Sequence, residues 1–120
     1  TLCFFDGWAY SLADLGRAMS SVTGFDLTTT DIMRCGERLW ALKRCINTLL
    51  GATAADDRLP RRFLTPHTDG PTAGEAPDLA AMLKDFYAFC DLDERGCPSA
   101  TRLQSLGLDD VARIVHPTPE

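Results

Sequence analysis

The stretch GERLWALKRCINTLLGATAADDRLPRRF, residues 36–63, decides the fold of this chain. Its first half places apolar side chains at steps of three and four residues, the period of an amphipathic helix. Gly51 ends that pattern, because glycine readily adopts the left-handed conformation that closes helices. The second half holds Asp57, Pro60 and Arg62 in a polar segment typical of a loop with a specified shape. We therefore expect a long central helix followed by an irregular connection.

The helical period continues towards the amino end of this stretch. Three threonines, residues 28–30, offer N-caps, and Asp31 suits the positive end of a helix. We expect the apolar stripe of this helix to be buried in the core; it comprises Ile32, Cys35, Leu39, Leu42, Ile46 and Leu49. An earlier helix is predicted after Ser11 and Asp14, which match a capping box, with Gly24 as its C-cap.

Residues 52–77 carry neither a helical nor a strand period over more than a few positions. A structureless segment of that length is unusual inside a compact domain, and it typically indicates function, a partner surface or disorder. Helices are expected again after Asp78, after Ser99 and from Asp109. We find no strand pattern and no internal repeat. The predicted fold class is all-α: one multihelical domain over residues 1–120, with a long central helix and an irregular connector at 52–77.

The formal net charge of −5 narrows the classes of partner. Nucleic acids and anionic membranes attract positively charged surfaces, so neither is expected to bind this chain. A helix-turn-helix regulator is disfavoured for the same reason. No apolar run is long enough to span a bilayer, and no signal peptide is visible. Because the first residue is Thr1, we expect a fragment of a longer protein.

The chain has five cysteines: Cys3, Cys35, Cys45, Cys90 and Cys97. Their odd number and the lack of a C-x-x-C pair do not indicate a disulfide framework. We expect a reducing cytoplasm, with Cys35, Cys45 and Cys90 as small apolar residues of the core.

His67 and His116 are expected at the surface. The acidic clusters at 56–57 and 91–94 are expected to be solvated turns, since they lack the spacing of a calcium loop.

Short motifs follow one another along nearly the whole chain. On the long helix they include Gly36, Glu37, Arg38, Leu42, Arg44 and Asn47; in the connector, Asp57, Leu59, Pro60, Arg62, Phe63, Gly70, Pro71 and Gly74; and further on, Met82, Leu83, Phe86, Tyr87, Asp93, Gly96, Pro98, Ser99, Leu103, Leu106, Gly107 and Leu108. In this order and spacing the series resembles the C-terminal part of the tungsten-containing aldehyde ferredoxin oxidoreductase family.

The resemblance implies the architecture and the chemistry of that family. Its members combine a β-rich base domain with two helical domains around a tungsten or molybdenum ion held by two pterin dithiolenes. A [4Fe–4S] cluster lies beside the metal. The enzymes oxidise aldehydes to carboxylic acids and pass electrons to ferredoxin. For this chain the resemblance implies a helical domain that is inactive alone, with partners in the upstream domains and in ferredoxin or another electron carrier.

The resemblance also carries over two site residues. The family's fourth cluster cysteine ends a D-x-x-G-L-C motif that also touches a pterin, and Leu2 and Cys3 match its last two positions. Thr1 stands where that motif has Gly. Cys3 is therefore implied as the metal ligand and Leu2 as the cofactor-binding residue, with no catalytic residue in this chain. A [4Fe–4S] cluster needs several thiolates, so Cys3 could only complete a set supplied from elsewhere. The alternative is a terminal thiol without a role.

Several features of the sequence allow two interpretations. Glu37 and Arg38 are either an interdomain ion pair or part of a solvated face. Arg61 and Arg62 contact an anionic cofactor or anchor the connector through ion pairs. For the whole chain, the competing hypothesis is a helical interaction or scaffold module that has lost the redox role. Self-association into a homo-oligomer is also left open, since a domain cut from its neighbours exposes apolar surface.

Overall fold

The computed structural model describes residues 7–117, and over that range the prediction of an all-α fold is confirmed. The described residues form six α-helices and no strand. The helices are α1 (Leu12–Thr23), α2 (Thr29–Leu49), α3 (Arg61–Leu64), α4 (Leu79–Cys90), α5 (Ala100–Ser105) and α6 (Asp109–Val115). The connector is irregular as predicted, apart from α3 and a single 3₁₀ turn at Ala54–Asp56.

Side-chain caps begin the helices where the sequence predicts them. Ser11 Oγ accepts a hydrogen bond from the backbone N–H of Asp14 at 3.2 Å, and Asp14 accepts one from the backbone N–H of Ser11 at 2.9 Å. Thr28 and Asp31 repeat this reciprocal pattern at the start of α2. Asp78 caps α4 by accepting from the N–H of Ala81 at 3.0 Å. Each cap satisfies backbone donors that the first helical turn leaves unpaired.

Residues in the left-handed conformation end two of these helices. Gly24 follows α1 with φ 76°, as predicted. Asp91 follows α4 with φ 53°, although it carries a side chain. Its carboxylate accepts a hydrogen bond from Ser99 Oγ, and its carbonyl oxygen accepts one from the N–H of Ser99 at 2.8 Å. Asp91 therefore joins the end of α4 to the start of α5, a role that a solvated turn would not have.

The chain divides into two compact units, of which the first ends at Trp40 and the second begins at Ala41. In residues 7–40 one residue, Gly16 of α1, is buried. A Cβ at this position would lie 3.2 Å from the carbonyl oxygen of Leu27. The N–H of Leu27 donates to Ser20 Oγ at 2.9 Å. Glycine thus lets the segment before α2 approach α1 closely.

The second unit contains the apolar core of the described chain. Its buried members are Ala41, Cys45, Cys97, Leu103, Leu106, Leu108, Ala112 and Val115. Helices α5 and α6 pack against each other around Leu103, which is fully buried. Burial of a leucine side chain stabilises a fold by about 1.5–3 kcal/mol, so the three buried leucines of this cluster contribute substantially to the stability of the second unit.

The buried face of α2 differs from the predicted one. Leu39, Ile46 and Leu49 are all more than half exposed, and Cys35 is exposed. Ala41 and Cys45 are buried instead, which confirms only Cys45 among the predicted core cysteines of this helix. The prediction that the whole stripe forms the core was wrong, because periodicity identifies an apolar face without identifying what covers it. The smaller residues beside that stripe make the close contacts.

None of the helices within residues 7–117 combines the length and the apolar character needed to cross a bilayer. The grouping of residues 1–120 into a single domain stays a prediction.

Candidate functional site

A polar cluster in the second unit joins α2, the connector, α4 and the turn after α4. At its centre is the side chain of Arg44 on α2, which is 17% exposed. Arg44 Nε donates to the carbonyl oxygen of Gly96 at 2.5 Å, and Nη1 donates to Asp57 Oδ1 at 2.7 Å. Nη2 makes a second bond, to Asp57 Oδ2. The ion pair is therefore bidentate, the arrangement in which arginine holds a carboxylate most firmly.

Tyr87 completes this group, which we name the Arg44 cluster: Arg44, Asp57, Tyr87 and Gly96. The Tyr87 hydroxyl donates to Asp57 Oδ2 at 2.5 Å, and its oxygen lies 3.5 Å from Arg44 Nη2. The Asp57 carboxylate consequently accepts hydrogen bonds from two side chains on two different helices. Its position fixes the connector against both α2 and α4.

Gly96 provides the space that the cluster occupies. Its φ of 82° lies in the left-handed region, and a Cβ built there would fall on the Arg44 guanidinium and lie 2.8 Å from the Tyr87 hydroxyl. The turn around Gly96 is held by Asp93, whose Oδ1 accepts from the N–H of Cys97 at 2.9 Å. Only glycine meets both demands, on torsion angle and on space.

The charges of the cluster are stabilised by its own hydrogen bonds. Donation from Arg44 holds the pKa of Asp57 below its usual value, against the opposing effect of burial. The same hydrogen bond raises the pKa of Arg44, and burial followed by donation to Asp57 raises the pKa of Tyr87. At neutral pH the cluster is thus a charged pair with a neutral phenol. Its polar atoms satisfy one another, which suits a structural role rather than proton transfer.

Two buried thiols lie directly beside the Arg44 cluster. Cys45 follows Arg44 in sequence and Cys97 follows Gly96, and both belong to the buried apolar core. Burial raises the pKa of Cys45 to about 12 and also raises the pKa of Cys97. Both sulfurs are therefore neutral at physiological pH. Two sulfurs alone cannot hold a [4Fe–4S] cluster, and within residues 7–117 no group of three or more potential ligands is found.

His116 also has partners that the sequence did not predict. It is half-buried after α6, and its Nε2 lies 2.8 Å from the carbonyl oxygen of Pro98. Its Nδ1 lies 3.2 Å from Arg95 Nη2, which also binds Asp93 at 3.0 Å. The carbonyl oxygen of Pro98 accepts from Nε2–H, and Nδ1 accepts from the Arg95 guanidinium. His116 therefore links the end of α6 to the turn after α4.

The residues predicted to bind cofactor and metal, Leu2 and Cys3, lie outside the residues that the structure describes. Within 7–117, no three side chains of His, Cys, Asp or Glu are grouped so that they could hold a metal ion. Cys90 is half-buried, and His67 is exposed as predicted. Arg61 and Arg62 are exposed. The ion pair that anchors the connector comes from Arg44 instead.

Sequence reasoning names all four members of the Arg44 cluster as motif positions but does not predict that they meet. From sequence alone, Tyr87 is expected as a core aromatic and Arg44 on the outer side of the helix. A usable signal is present, because each cluster member is the polar or glycine residue of a separate short motif. Three of these members carry polar side chains, and polar side chains that become buried are usually hydrogen-bonded to other protein groups.

Comparison with known proteins identifies the family. A model described as aldehyde ferredoxin oxidoreductase, domains 2 and 3, matches residues 1–108. The tungsten-containing aldehyde ferredoxin oxidoreductase of Pyrococcus furiosus is 34% identical over 109 residues, which are 89% of this chain. The enzyme of the same name from Pyrococcus horikoshii is 32% identical over 111 residues, 91% of the chain.

A relative with a different stated substrate also matches this chain. The aliphatic sulfonate oxidoreductase, WOR-like subunit, of Pyrococcus furiosus is 32% identical over 113 residues, 87% of the chain. The matched region is 18% of the length of each of these three relatives. The Arg44 cluster lies wholly inside the matched residues. With an all-α fold and a family match over nearly its full length, the chain belongs to the aldehyde ferredoxin oxidoreductase family.

Proposed function

We propose that this chain is the C-terminal helical domain of an enzyme that oxidises aldehydes to carboxylic acids. The reaction would take place at tungsten or molybdenum held by two pterins, with electrons leaving through a [4Fe–4S] cluster to ferredoxin or another carrier. The observation that carries this proposal is the family match over residues 1–108. The relatives named as tungsten-containing aldehyde ferredoxin oxidoreductases support the same chemistry. The enzyme acts in the cytoplasm.

In this proposal Cys3 provides one thiolate of the cluster and Leu2 contacts a pterin. The basis is the position of Leu2 and Cys3 at the end of the family's L-C motif. The cluster, when bound, supplies one-electron transfer. Its remaining ligands would come from other domains, because one cysteine cannot hold a [4Fe–4S] cluster. The isolated chain, residues 1–120, is a single helical domain without activity.

The Arg44 cluster gives this domain its fixed shape. Arg44, Asp57 and Tyr87 come from α2, the connector and α4, so one ion pair with its hydrogen bonds fixes the start of the connector against both helices. Both side chains of the ion pair are less than one fifth exposed. A partly buried bidentate pair is screened little by water and salt. A connector held in this way presents a constant surface to the rest of the enzyme.

The apolar face of α4 is proposed to contact another domain of the same polypeptide. Met82 and Phe89 are more than half exposed, and Phe86, between them on the same face, is 42% exposed. Exposed apolar stripes of this kind mark interaction surfaces. Another domain is the proposed occupant because the family model covers domains 2 and 3 and this chain matches only 18% of its relatives' length. A second copy of the chain is the competing occupant.

The role of Cys3 is tested in the full-length protein by the substitution Cys3→Ser. We expect the iron content and the electron paramagnetic resonance signal of the reduced cluster to fall by most of their value. Aldehyde-dependent reduction of a viologen dye should be lost with them. The matched control is Cys35→Ser, which removes an exposed thiol and should change none of these measurements. A Cys3→Ser protein that keeps its cluster signal would remove Cys3 from the ligand set.

A helical interaction module is the second candidate function, and the exposed face of α4 favours it. The two functions are distinguished by metal analysis of the full-length protein. Stoichiometric tungsten or molybdenum together with iron supports the enzyme, whereas their absence after expression in a host that supplies both supports the module. Because one relative is named for aliphatic sulfonates, the activity assay should compare an aliphatic aldehyde with an alkyl sulfonate.

A further inference from the structure

His116 follows the last residue of α6, and both nitrogens of its ring make contacts that the proposed function does not use. Nε2 lies 2.8 Å from the carbonyl oxygen of Pro98, and Nδ1 lies 3.2 Å from Arg95 Nη2. A guanidinium only donates hydrogen bonds, and a carbonyl oxygen only accepts them. The two contacts together therefore require a proton on Nε2 and a free lone pair on Nδ1.

Asp93 holds the Arg95 side chain beside this ring. Arg95 Nε and Nη2 donate to Asp93 Oδ2 at 3.1 Å and 3.0 Å, and Asp93 Oδ1 accepts from the N–H of Arg95 at 2.9 Å. Burial raises the pKa of Asp93, but hydrogen bonds from the N–H of Cys97 and from Arg95 outweigh it, so this pKa lies below its usual value. In the range of about pH 5 to 8, where histidine changes its charge, the carboxylate therefore stays charged and Arg95 stays in position.

The elements that meet at His116 are α6, the turn after α4, and α5, which packs against α6. Their other charged residues are Asp91, Glu94, Arg102, Asp109, Asp110 and Arg113. Asp110 and Arg113 pair with each other, and both side chains are at least 76% exposed. Among the described residues, Arg95 is the only charged side chain that is hydrogen-bonded to the ring. Since the carboxyl end of a helix suits a cation, a protonated ring is compatible with its place after α6 but not with its contact to Arg95.

We propose that the contact between His116 and Arg95 is a pH-sensitive switch at the end of α6. With a proton on Nδ1, an N–H group of the ring faces the N–H groups of Arg95, and two positive charges replace a hydrogen bond. The ring then moves away from Arg95, and the end of α6 loses one of the contacts that hold it against the turn at residues 93–98. Raising the pH removes this proton and restores the contact.

The test is amide hydrogen exchange of the chain, followed by NMR at about pH 7.5 and about pH 5.5, with each rate corrected for the rate of an unfolded peptide at the same pH. The reporter is the N–H of His116, which donates to the carbonyl oxygen of Ala112 at 2.9 Å. We expect its protection to fall roughly fivefold at the lower pH, the effect of losing one ordinary hydrogen bond. The N–H of Gly74 is the internal reference. It donates to the carbonyl oxygen of His67, an exposed histidine, at 2.9 Å, and it should keep its protection.

The His116 ring gives a second readout that needs no variant. Long-range ¹H–¹⁵N spectra at about pH 7.5 should show the proton of the ring on Nε2, because Nδ1 accepts from Arg95. A ring that carries its proton on Nδ1 at this pH would overturn the proposal.

Three variants separate the switch from a general effect of pH. His116→Gln cannot take up a proton, so protection at position 116 should be the same at both pH values. Arg95→Met removes the partner of the ring, so protection there should be equally low at both. Arg113→Gln is the matched control, since it removes an exposed arginine of α6 and should keep the full response. The proposal fails if the wild type shows no loss of protection, or if Arg95→Met responds to pH as the wild type does.

Discussion

Arg44 illustrates, at the scale of a single residue, why a lysine could not take its place. Its Nε, Nη1 and Nη2 reach two acceptors that belong to different segments, the Gly96 carbonyl and the Asp57 carboxylate. A planar guanidinium presents several donors in a fixed fork, whereas an ammonium is a point charge. The contact between α2 and the connector therefore depends on the shape of the cation as much as on its charge.

The first residue-scale prediction concerns the space at Gly96. Gly96→Ala should destabilise the chain by about 2–4 kcal/mol, because it combines an unfavourable φ with a collision against the Arg44 guanidinium. Gly74→Ala is the matched control, since Gly74 has the same φ of 82° and nothing within 4 Å of its added Cβ. It should cost only about 1 kcal/mol. Urea unfolding of both variants measures the difference, and equal losses would mean that the collision is relieved at no cost.

The second residue-scale prediction concerns pH. The pKa of folded Asp57 lies below the unfolded value of 3.8, so the folded state holds fewer protons than the unfolded state in that range. The stabilisation is complete above about pH 5 and is lost as the pH falls through the folded pKa. Asp57→Asn should therefore lower stability by about 2 kcal/mol at pH 7 and by less at pH 3.

The measurement for Asp57 is the free energy of unfolding of the wild type and of Asp57→Asn at pH 3, 5 and 7. Tyr87→Phe is a useful companion, because it removes one hydrogen bond to the carboxylate and leaves the ion pair in place. It should reduce the dependence on pH only in part. A constant difference between wild type and Asp57→Asn at all three pH values would contradict the account.

The sequence indicates that these residues belong to motifs, but it does not predict which of them contact one another. Asp57 and Arg44 are visible as motif positions, yet they are separated by a helix end and a 3₁₀ turn. The direction in which the connector returns is set by tertiary packing, which no local pattern encodes. Cys97 is a similar case, since a cysteine in a turn gives no sign that it is fully buried.

At the scale of elements, the caps were the most predictable feature. Ser11, Asp78 and Ser99 all begin helices, since a short polar side chain is the ordinary partner for unpaired N–H groups. The four-residue helix α3 was not predicted, because so short a segment has no period to read. The buried face of α2 was predicted wrongly for a different reason. Its apolar stripe includes residues that no other part of the described chain covers.

The element-scale prediction concerns Ser99, the N-cap of α5. Ser99 Oγ accepts from the N–H of Arg102 at 3.0 Å and donates to the Asp91 carboxylate. Ser99→Ala loses both bonds and should cost about 1–2 kcal/mol. Thr101→Ala, an exposed position in the same helix, should change stability by less than about 0.5 kcal/mol. Thermal unfolding of the two variants compares them, and similar melting temperatures would argue against the cap.

At the scale of the whole molecule, the sequence does not predict which apolar surfaces are covered and which remain exposed. The helical class follows from periodicity, and the family follows from the series of motifs. Neither states which faces remain exposed in this chain. The structure supplies that information for residues 7–117, where every fully buried apolar side chain belongs to the second unit.

The whole-molecule prediction compares one substitution in two settings. Phe89 is 84% exposed in this chain, so Phe89→Gln should change the stability of the isolated chain by less than about 0.5 kcal/mol. In the full-length protein, where we propose that another domain covers α4, the same change should cost about 1–3 kcal/mol. Differential scanning calorimetry of both proteins measures the contrast.

Lys84→Gln is the control for that experiment, since Lys84 is exposed on a different face of α4. It should have little effect in either setting. If Phe89→Gln is as harmless in the full-length protein as in the isolated chain, the face of α4 is not covered by another domain. If the isolated chain dissociates from a dimer on the same substitution, the occupant is a second copy.

The Gly96 carbonyl has a consequence for the substitutions that this chain can accept. A main-chain oxygen cannot be deleted by mutation, so a substitution at position 96 affects the bond from Arg44 only by displacing the guanidinium or the backbone. The residue at position 96 is therefore restricted by two factors, the left-handed φ and the lack of space for a side chain. Positions 44, 57 and 87 instead depend on side-chain donors and acceptors, so we expect the effects of substitutions at these three positions to be non-additive.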